Sequence, residues 1–185
     1  MKSNNKVLSA IMCALSCALI IVGAFIRIPL SPLSITLQAE FVLLSALLLG
    51  ARKACTAVGV YILLGLCGIP VFTQGGGLSY VLRPSFGFVV GFLAAAAVTG
   101  CAVTRLKKYS FLNLYVSCFA GIVVLYVLGV AYFYLITRFY LESQIGFMNL
   151  MSACVVVTLP VDVVLCIPVA LCAKRLLPIL KTHTG

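Results

Sequence analysis

Asp162 is a carboxylate in a place where carboxylates are costly. It stands in an apolar run twelve positions before Lys174, about 18 Å away at the 1.5 Å rise of a helical residue. In a hydrocarbon layer about 30 Å thick, that is still inside the layer, in the half away from the lysine. A charge there costs several kcal/mol unless it faces a cavity or a partner. Its chemistry is therefore either to accept hydrogen bonds from a ligand, or to pair with Arg83 or Arg138 or cap the helix after Pro160. Glu40 lies at nearly the same depth, twelve positions before Arg52, with Gln38 two residues away. Two residues so spaced point to different faces of a helix, so at most one of them aims into a given pocket. Gln38 offers both donor and acceptor to an amide-like group, and Glu40 is expected to pair with an outer arginine.

A second cluster is the stretch Gln74-Gly-Gly-Gly-Leu-Ser-Tyr80-Val-Leu-Arg83. Consecutive glycines such as Gly75 and Gly76 let backbone groups come close to a ligand at positions where φ can be positive. Gln74 adds an amide, Tyr80 an apolar face with a hydroxyl, and Arg83 a fork for a carboxylate. The bland reading of Tyr80 and Arg83 is anchorage of helix ends at a membrane interface. A third feature is the repeat of Ala10, Ala14 and Ala18 beside Ser9, Cys13 and Cys17, a small-residue face that a second helix can approach closely. That helix can belong to this chain or to another protein.

Other chemistry is not supported. Nine cysteines contain no Cys-x-x-Cys and fall almost wholly in apolar runs, where a cysteine acts as a small hydrophobe. The one histidine, His183, is in the polar tail, so no metal site is expected. There is no Gly-x-Ser-x-Gly elbow and no Walker A sequence, and neither catalysis nor ATP hydrolysis is assigned to this chain. No cofactor is expected.

These residues must be positioned by membrane-spanning helices. Of the 185 residues, 64% are apolar and 9% charged, against about 25% charged in a soluble domain. That excludes an ordinary globular enzyme, a disordered tail and a nucleic-acid module. Apolar runs cover 7–26, 35–49, 54–71, 86–103 and 112–136, with a sixth from near 154 to 173. Six helices of about 20 residues use the whole length, as one transmembrane domain over 1–185. Six passes put Lys2, Lys6, Arg52, Lys53, Arg105, Lys107, Lys108, Lys174, Arg175 and Lys181 on one side and only Arg27, Arg83 and Arg138 on the other. That asymmetry predicts an all-α, multi-pass protein with both termini cytoplasmic. The net charge of +10 is then mainly a topology label. On the outer side, Pro29 and Pro32 prevent a continuous helical hairpin between the first two runs.

The stretch 28–97 resembles the BioY family, the biotin-binding S components of energy-coupling factor transporters. The matching pieces are Ile28-Pro-Leu, Ile35-Thr-Leu-Gln38, Leu47-Leu-Leu-Gly50, Gly65-Leu-Cys-Gly-Ile-Pro-Val-Phe72, Gln74-Gly-Gly-Gly77, Tyr80 and Arg83-Pro-Ser-Phe-Gly-Phe-Val-Val-Gly-Phe92. Leu159-Pro-Val-Asp162 is similar to a further family segment near the C-terminus. The resemblance implies a six-helix S component of the bacterial cytoplasmic membrane that captures biotin on the outer face. Asp162, Gln38, Gln74, Tyr80 with Phe72, and the glycine loop would surround the ligand. It further implies that Ala10, Ala14 and Ala18 face a transmembrane coupling protein of the EcfT or BioN type, with ATPase subunits of the EcfA or BioM type supplying the energy. Members commonly carry a lysine three residues after the aspartate; here that position is Leu165, so that either Arg83 or Arg27 neutralises the biotin carboxylate, or the tail faces solvent, or the ligand differs somewhat. The other readings are an S component for a different small vitamin and, of another class, a membrane-embedded enzyme or a structural membrane protein.

Overall fold

The computed structural model describes residues 2–28, 34–106, 108–141 and 155–184; Pro29, Pro32, Lys107 and Cys154 lie outside them. Among the described residues five helices are long and apolar enough to cross a membrane. They are α1 (Lys2–Phe25), α2 (Gln38–Leu66), α3 (Phe86–Thr104), α4 (Phe111–Phe139) and α5 (Val157–Thr184). Between α1 and α2, two short strands, β1 (Arg27–Ile28) and β2 (Ile35–Thr36), pair antiparallel with Arg27 opposite Thr36. This ribbon is absent from the expectation of a purely helical chain. A 3-10 turn spans Leu78–Leu82.

The runs expected as separate second and third spans are the two arms of α2, which folds back on itself. Gly50 has φ 76 and ψ 171, outside any helix and in a region essentially reserved for glycine. The arms 38–49 and 51–66 lie side by side, because Gln38 Nε2 donates to Tyr61 Oη at 2.6 Å across 23 positions. A straight helix would hold those residues about 34 Å apart. Gly100 of α3 backs the bend; a Cβ there would stand 2.3 Å from the Ala51 nitrogen.

Helix ends differ from the expected spans for local reasons. The second arm stops at Leu66 rather than 71, where Gly68 takes φ 97 and Pro70 follows. The last two helices run on to Phe139 and Thr184, past the expected 136 and 173. Three prolines, Pro160, Pro168 and Pro178, are carried within α5.

Packing places α3 between α2 and α4, with α1 against α2 and α5 against both α4 and α2. On α4, Leu114, Cys118, Ile122, Leu125, Tyr126, Val130 and Phe133 are buried at three- and four-residue spacing, one helical face. The opposite positions Leu112, Val116, Phe119, Val123 and Val127 are exposed and equally apolar, as a lipid-facing surface requires and a water-facing one does not. Where both faces are apolar, close contact has to hold the helices together. Gly87 and Gly91 of α3 accordingly meet Tyr132 and Leu125 of α4 with no room for a Cβ. Thr99 Oγ1 also donates to the Ser117 carbonyl at 3.1 Å, pinning α3 to α4. Ala95 and Ala96 are buried in this core.

Candidate functional site

The C-terminal end of α1, both ends of α2, the start of α3, the end of α4 and the start of α5 lie at one end of the molecule, under the ribbon and the loop 67–85. The glycines of that loop hold it down. Phe72 packs on Gly65, where a Cβ would come within 2.1 Å of the ring, and a Cβ on Gly76 would meet the Ile69 carbonyl oxygen at 2.3 Å. The Gly77 N–H donates to the Gly65 carbonyl at 2.7 Å. Gly75 and Gly77 take φ 111 and 105, which any side chain would strain. Neither Gly75 nor Gly76 lines the cavity beneath; they form the turn between Gln74 and Tyr80, which do line it.

The cavity measures about 80 Å³. Its polar groups include Gln38 from the first arm of α2, Tyr61 from the second, Thr73, Gln74 and Tyr80 from the loop, Tyr126 from α4, and Thr158 and Asp162 from α5. Phe88 and Phe92 of α3 and Leu125 of α4 supply apolar wall. Of the expected ligand contacts, the structure thus brings together Gln38, Gln74, Tyr80 and Asp162. Phe72 lies one layer behind, its ring 4.5 Å from that of Tyr80 and 5.4 Å from that of Tyr61.

Arg83 also stands behind the lining. Its Nη1 donates to Gln74 Oε1, and its guanidinium lies 5.5 Å from the Tyr80 ring centre. With its oxygen so engaged, Gln74 keeps its amide hydrogens for the cavity. Arg27 of β1 donates to the Thr73 carbonyl, tying the ribbon to the glycine loop. Tyr80 is fixed on its other side by Thr73 at 3.1 Å and by the Ser85 hydroxyl, which donates at 3.4 Å.

Asp162 is 7% exposed, and its partner is neither Arg83 nor Arg138. Tyr126 Oη donates to Asp162 Oδ2 at 2.7 Å and lies 2.8 Å from Thr158 Oγ1. A phenol has one hydrogen, and the charge-assisted bond to the carboxylate takes it in preference to the bond to Thr158. Glu40 corrects the expectation of an arginine pair. It is 5% exposed, both of its oxygens lack a donor from any other described residue, and the group it faces is Asp162. Arg27 and Arg83 are instead engaged on the outer loops, and no arginine among the described residues acts on Glu40.

Tyr61 and Tyr126 are the functional candidates that sequence reasoning missed. Each is a hydroxyl inside an otherwise apolar run, and a buried tyrosine normally finds a partner for it; that was the available signal. Chemically, the site offers a held carboxylate acceptor, hydroxyl and amide donors and aromatic walls. Such a set recognises a small, partly apolar ligand carrying both N–H and carbonyl groups.

A separate groove of about 490 Å³ runs between α1 and the second arm of α2, far along both helices from this cavity. Ala10 and Ala14 line it together with Ser9, Cys13 and Ala57, and Lys6, Arg52 and Lys53 stand at one end. Ala18 is exposed on the same helix without lining the groove.

The BioY family model matches residues 1–182. The chain is 37% identical over 182 residues to a protein named probable biotin transporter BioY from Lysinibacillus sphaericus, covering 98% of this chain and 93% of that one. It is 45% identical over 114 residues to the biotin transporter BioY of Thermotoga maritima, covering 61% and 66% of the two chains. Its fold is similar to the crystal structure of the S component for biotin from an ECF-type ABC transporter, with a TM-score of 0.82 and 26% identity over 95% of this chain and 94% of that one.

Proposed function

The chain belongs to the BioY family, and on that premise we propose that it captures biotin at the outer face of a bacterial cytoplasmic membrane as the S component of an energy-coupling factor transporter. The observation that carries this reading is the carboxylate of Asp162, oriented by Tyr126 and turned into a cavity walled by Tyr80, Phe88 and Phe92. Biotin presents two ureido N–H donors, one ureido carbonyl, an apolar sulfur ring and a valerate tail. Asp162 suits the N–H groups. Tyr61, which accepts from Gln38, keeps its own hydrogen for the ureido carbonyl, as Gln74 keeps its amide hydrogens. The aromatic walls suit the sulfur ring, and Arg27 and Arg83 on the overlying loops suit the valerate. In this reading Gly75 and Gly76 shape the loop that closes over the ligand.

The arms of α2 are read as two passes, giving six in all and both termini on the basic, cytoplasmic side. Capture and closure of the ribbon over the glycine loop are followed by reorientation in the membrane. The energy comes from a coupling protein of the EcfT or BioN type and ATPases of the EcfA or BioM type. The exposed row of Ala10, Ala14 and Ala18 is the face we assign to the coupling protein, since small residues let a partner helix approach closely. The test is uptake. Bacterial cells unable to make or import biotin, given this chain with coupling and ATPase subunits, should grow on scarce biotin. Failure to grow, with the protein present in the membrane, would contradict the reading.

A further inference from the structure

Glu40 is a buried acid that ligand capture, as described above, does not use. It lies on the first arm of α2 two residues from Gln38, so that Gln38 turns to the cavity while Glu40 turns to α5. Its surroundings are sparse. The groups that act on it are Asp162, within hydrogen-bonding reach, and Cys166 of α5, and Tyr126 of α4. No cation acts on it or on Asp162 among the described residues. Both Glu40 oxygens are sealed from solvent without a donor from any other described residue. Two ionised carboxylates side by side at hydrocarbon depth would repel strongly, and Glu40 would have lost its water with only its own backbone N–H in return.

We propose that Glu40 is a positioning residue: it carries a proton, donates it in a hydrogen bond to Asp162, and so holds that carboxylate as a single charge aimed at the ligand. The lone pairs are sufficient. A carboxylate offers about four acceptor sites; Tyr126 and Glu40 occupy two on the protein side and leave two for N–H donors in the cavity. Held from α2 and α4 at once, Asp162 keeps one orientation when the ligand is absent. The proposal rests on the biotin reading for the identity of the ligand but not for the proton.

Two measurements on the purified full chain test it. Infrared spectroscopy without ligand should show a protonated-carboxyl C=O band in the wild type that Glu40→Gln lacks. Titration with biotin should find Glu40→Gln within about threefold of the wild type, because its amide N–H also donates to Asp162. Glu40→Ala should be weaker by about tenfold, the usual worth of one such bond. An unchanged carboxyl band in Glu40→Gln would overturn the proposal, and so would equal losses in the two variants. Wild-type affinity that rises with sodium concentration would put a metal cation, not a proton, between the acids. If the wild type ignores biotin, the substrate reading fails while the spectroscopic arm still decides the proton. If Glu40→Ala does not fold, Glu40→Leu takes its place in the titration, with the same tenfold loss expected and equality with Glu40→Gln overturning the proposal.

Discussion

At the residue scale, the site turns on how Asp162 is held. Substituting Asp162→Asn keeps its shape but replaces a charged acceptor with an amide, and loss of a desolvated charged hydrogen bond to ligand costs about 2 kcal/mol or more. Tyr126→Phe leaves the carboxylate in place without its donor at 2.7 Å. Bonds to charged groups are worth about 1.5–3 kcal/mol, so biotin affinity should fall by about tenfold or more. Calorimetric titration of both variants checks this: wild-type affinity in Asp162→Asn would remove Asp162 from the binding site, and wild-type affinity in Tyr126→Phe would deny Tyr126 its part in orienting it. Much of this site was legible in advance. Asp162, Gln38, Gln74 and Tyr80 are polar groups where apolar ones are cheaper, and that expense is visible in a single chain. Their partners were not legible. Gln38 meets Tyr61 across 23 positions and Tyr126 meets Asp162 across 36, and no local pattern encodes such pairings. Glu40 misled for the same reason: charge suggested an arginine, and the fold supplied a second acid.

At the element scale, the reversal at Gly50 sets the geometry of the cavity, because it brings Gln38 and Tyr61 to the same end of the molecule. Gly50→Ala would force a side chain into φ 76 and ψ 171, at a cost of about 1–3 kcal/mol. There is space for the Cβ itself, the nearest atom being Thr104 Cγ2 at 3.5 Å, so backbone strain should dominate. A lower melting temperature in detergent, relieved by saturating biotin, is the expected outcome; an unchanged one would deny Gly50 its role. The positions of the apolar runs were readable because hydrocarbon thickness sets helix length. The bend was only half readable, as a short basic connection, since a glycine does not announce its φ. The ribbon of Arg27–Ile28 with Ile35–Thr36 was not readable at all: two residues per strand are too few for an alternating pattern, and Arg27 earns its place only through the distant Thr73 carbonyl.

At the scale of the whole molecule, the exposed apolar surface marks a membrane protein, and the distribution of basic residues is what the proposed orientation rests on. Both follow from composition along the chain and needed no structure. The α1 face is different, because exposure of Ala10 and Ala14 beside Lys6, Arg52 and Lys53 depends on what packs against α2. If that face receives the coupling protein, Ala14→Trp should abolish biotin uptake by cells carrying all subunits while the isolated chain still binds biotin normally. Loss of binding as well would assign the face to internal packing. The central claim is tested most directly by titrating the purified chain with biotin and, separately, with other small vitamins. The account predicts saturable binding of one biotin per chain and no comparable binding of the others. Tight binding of another vitamin with none of biotin would contradict it.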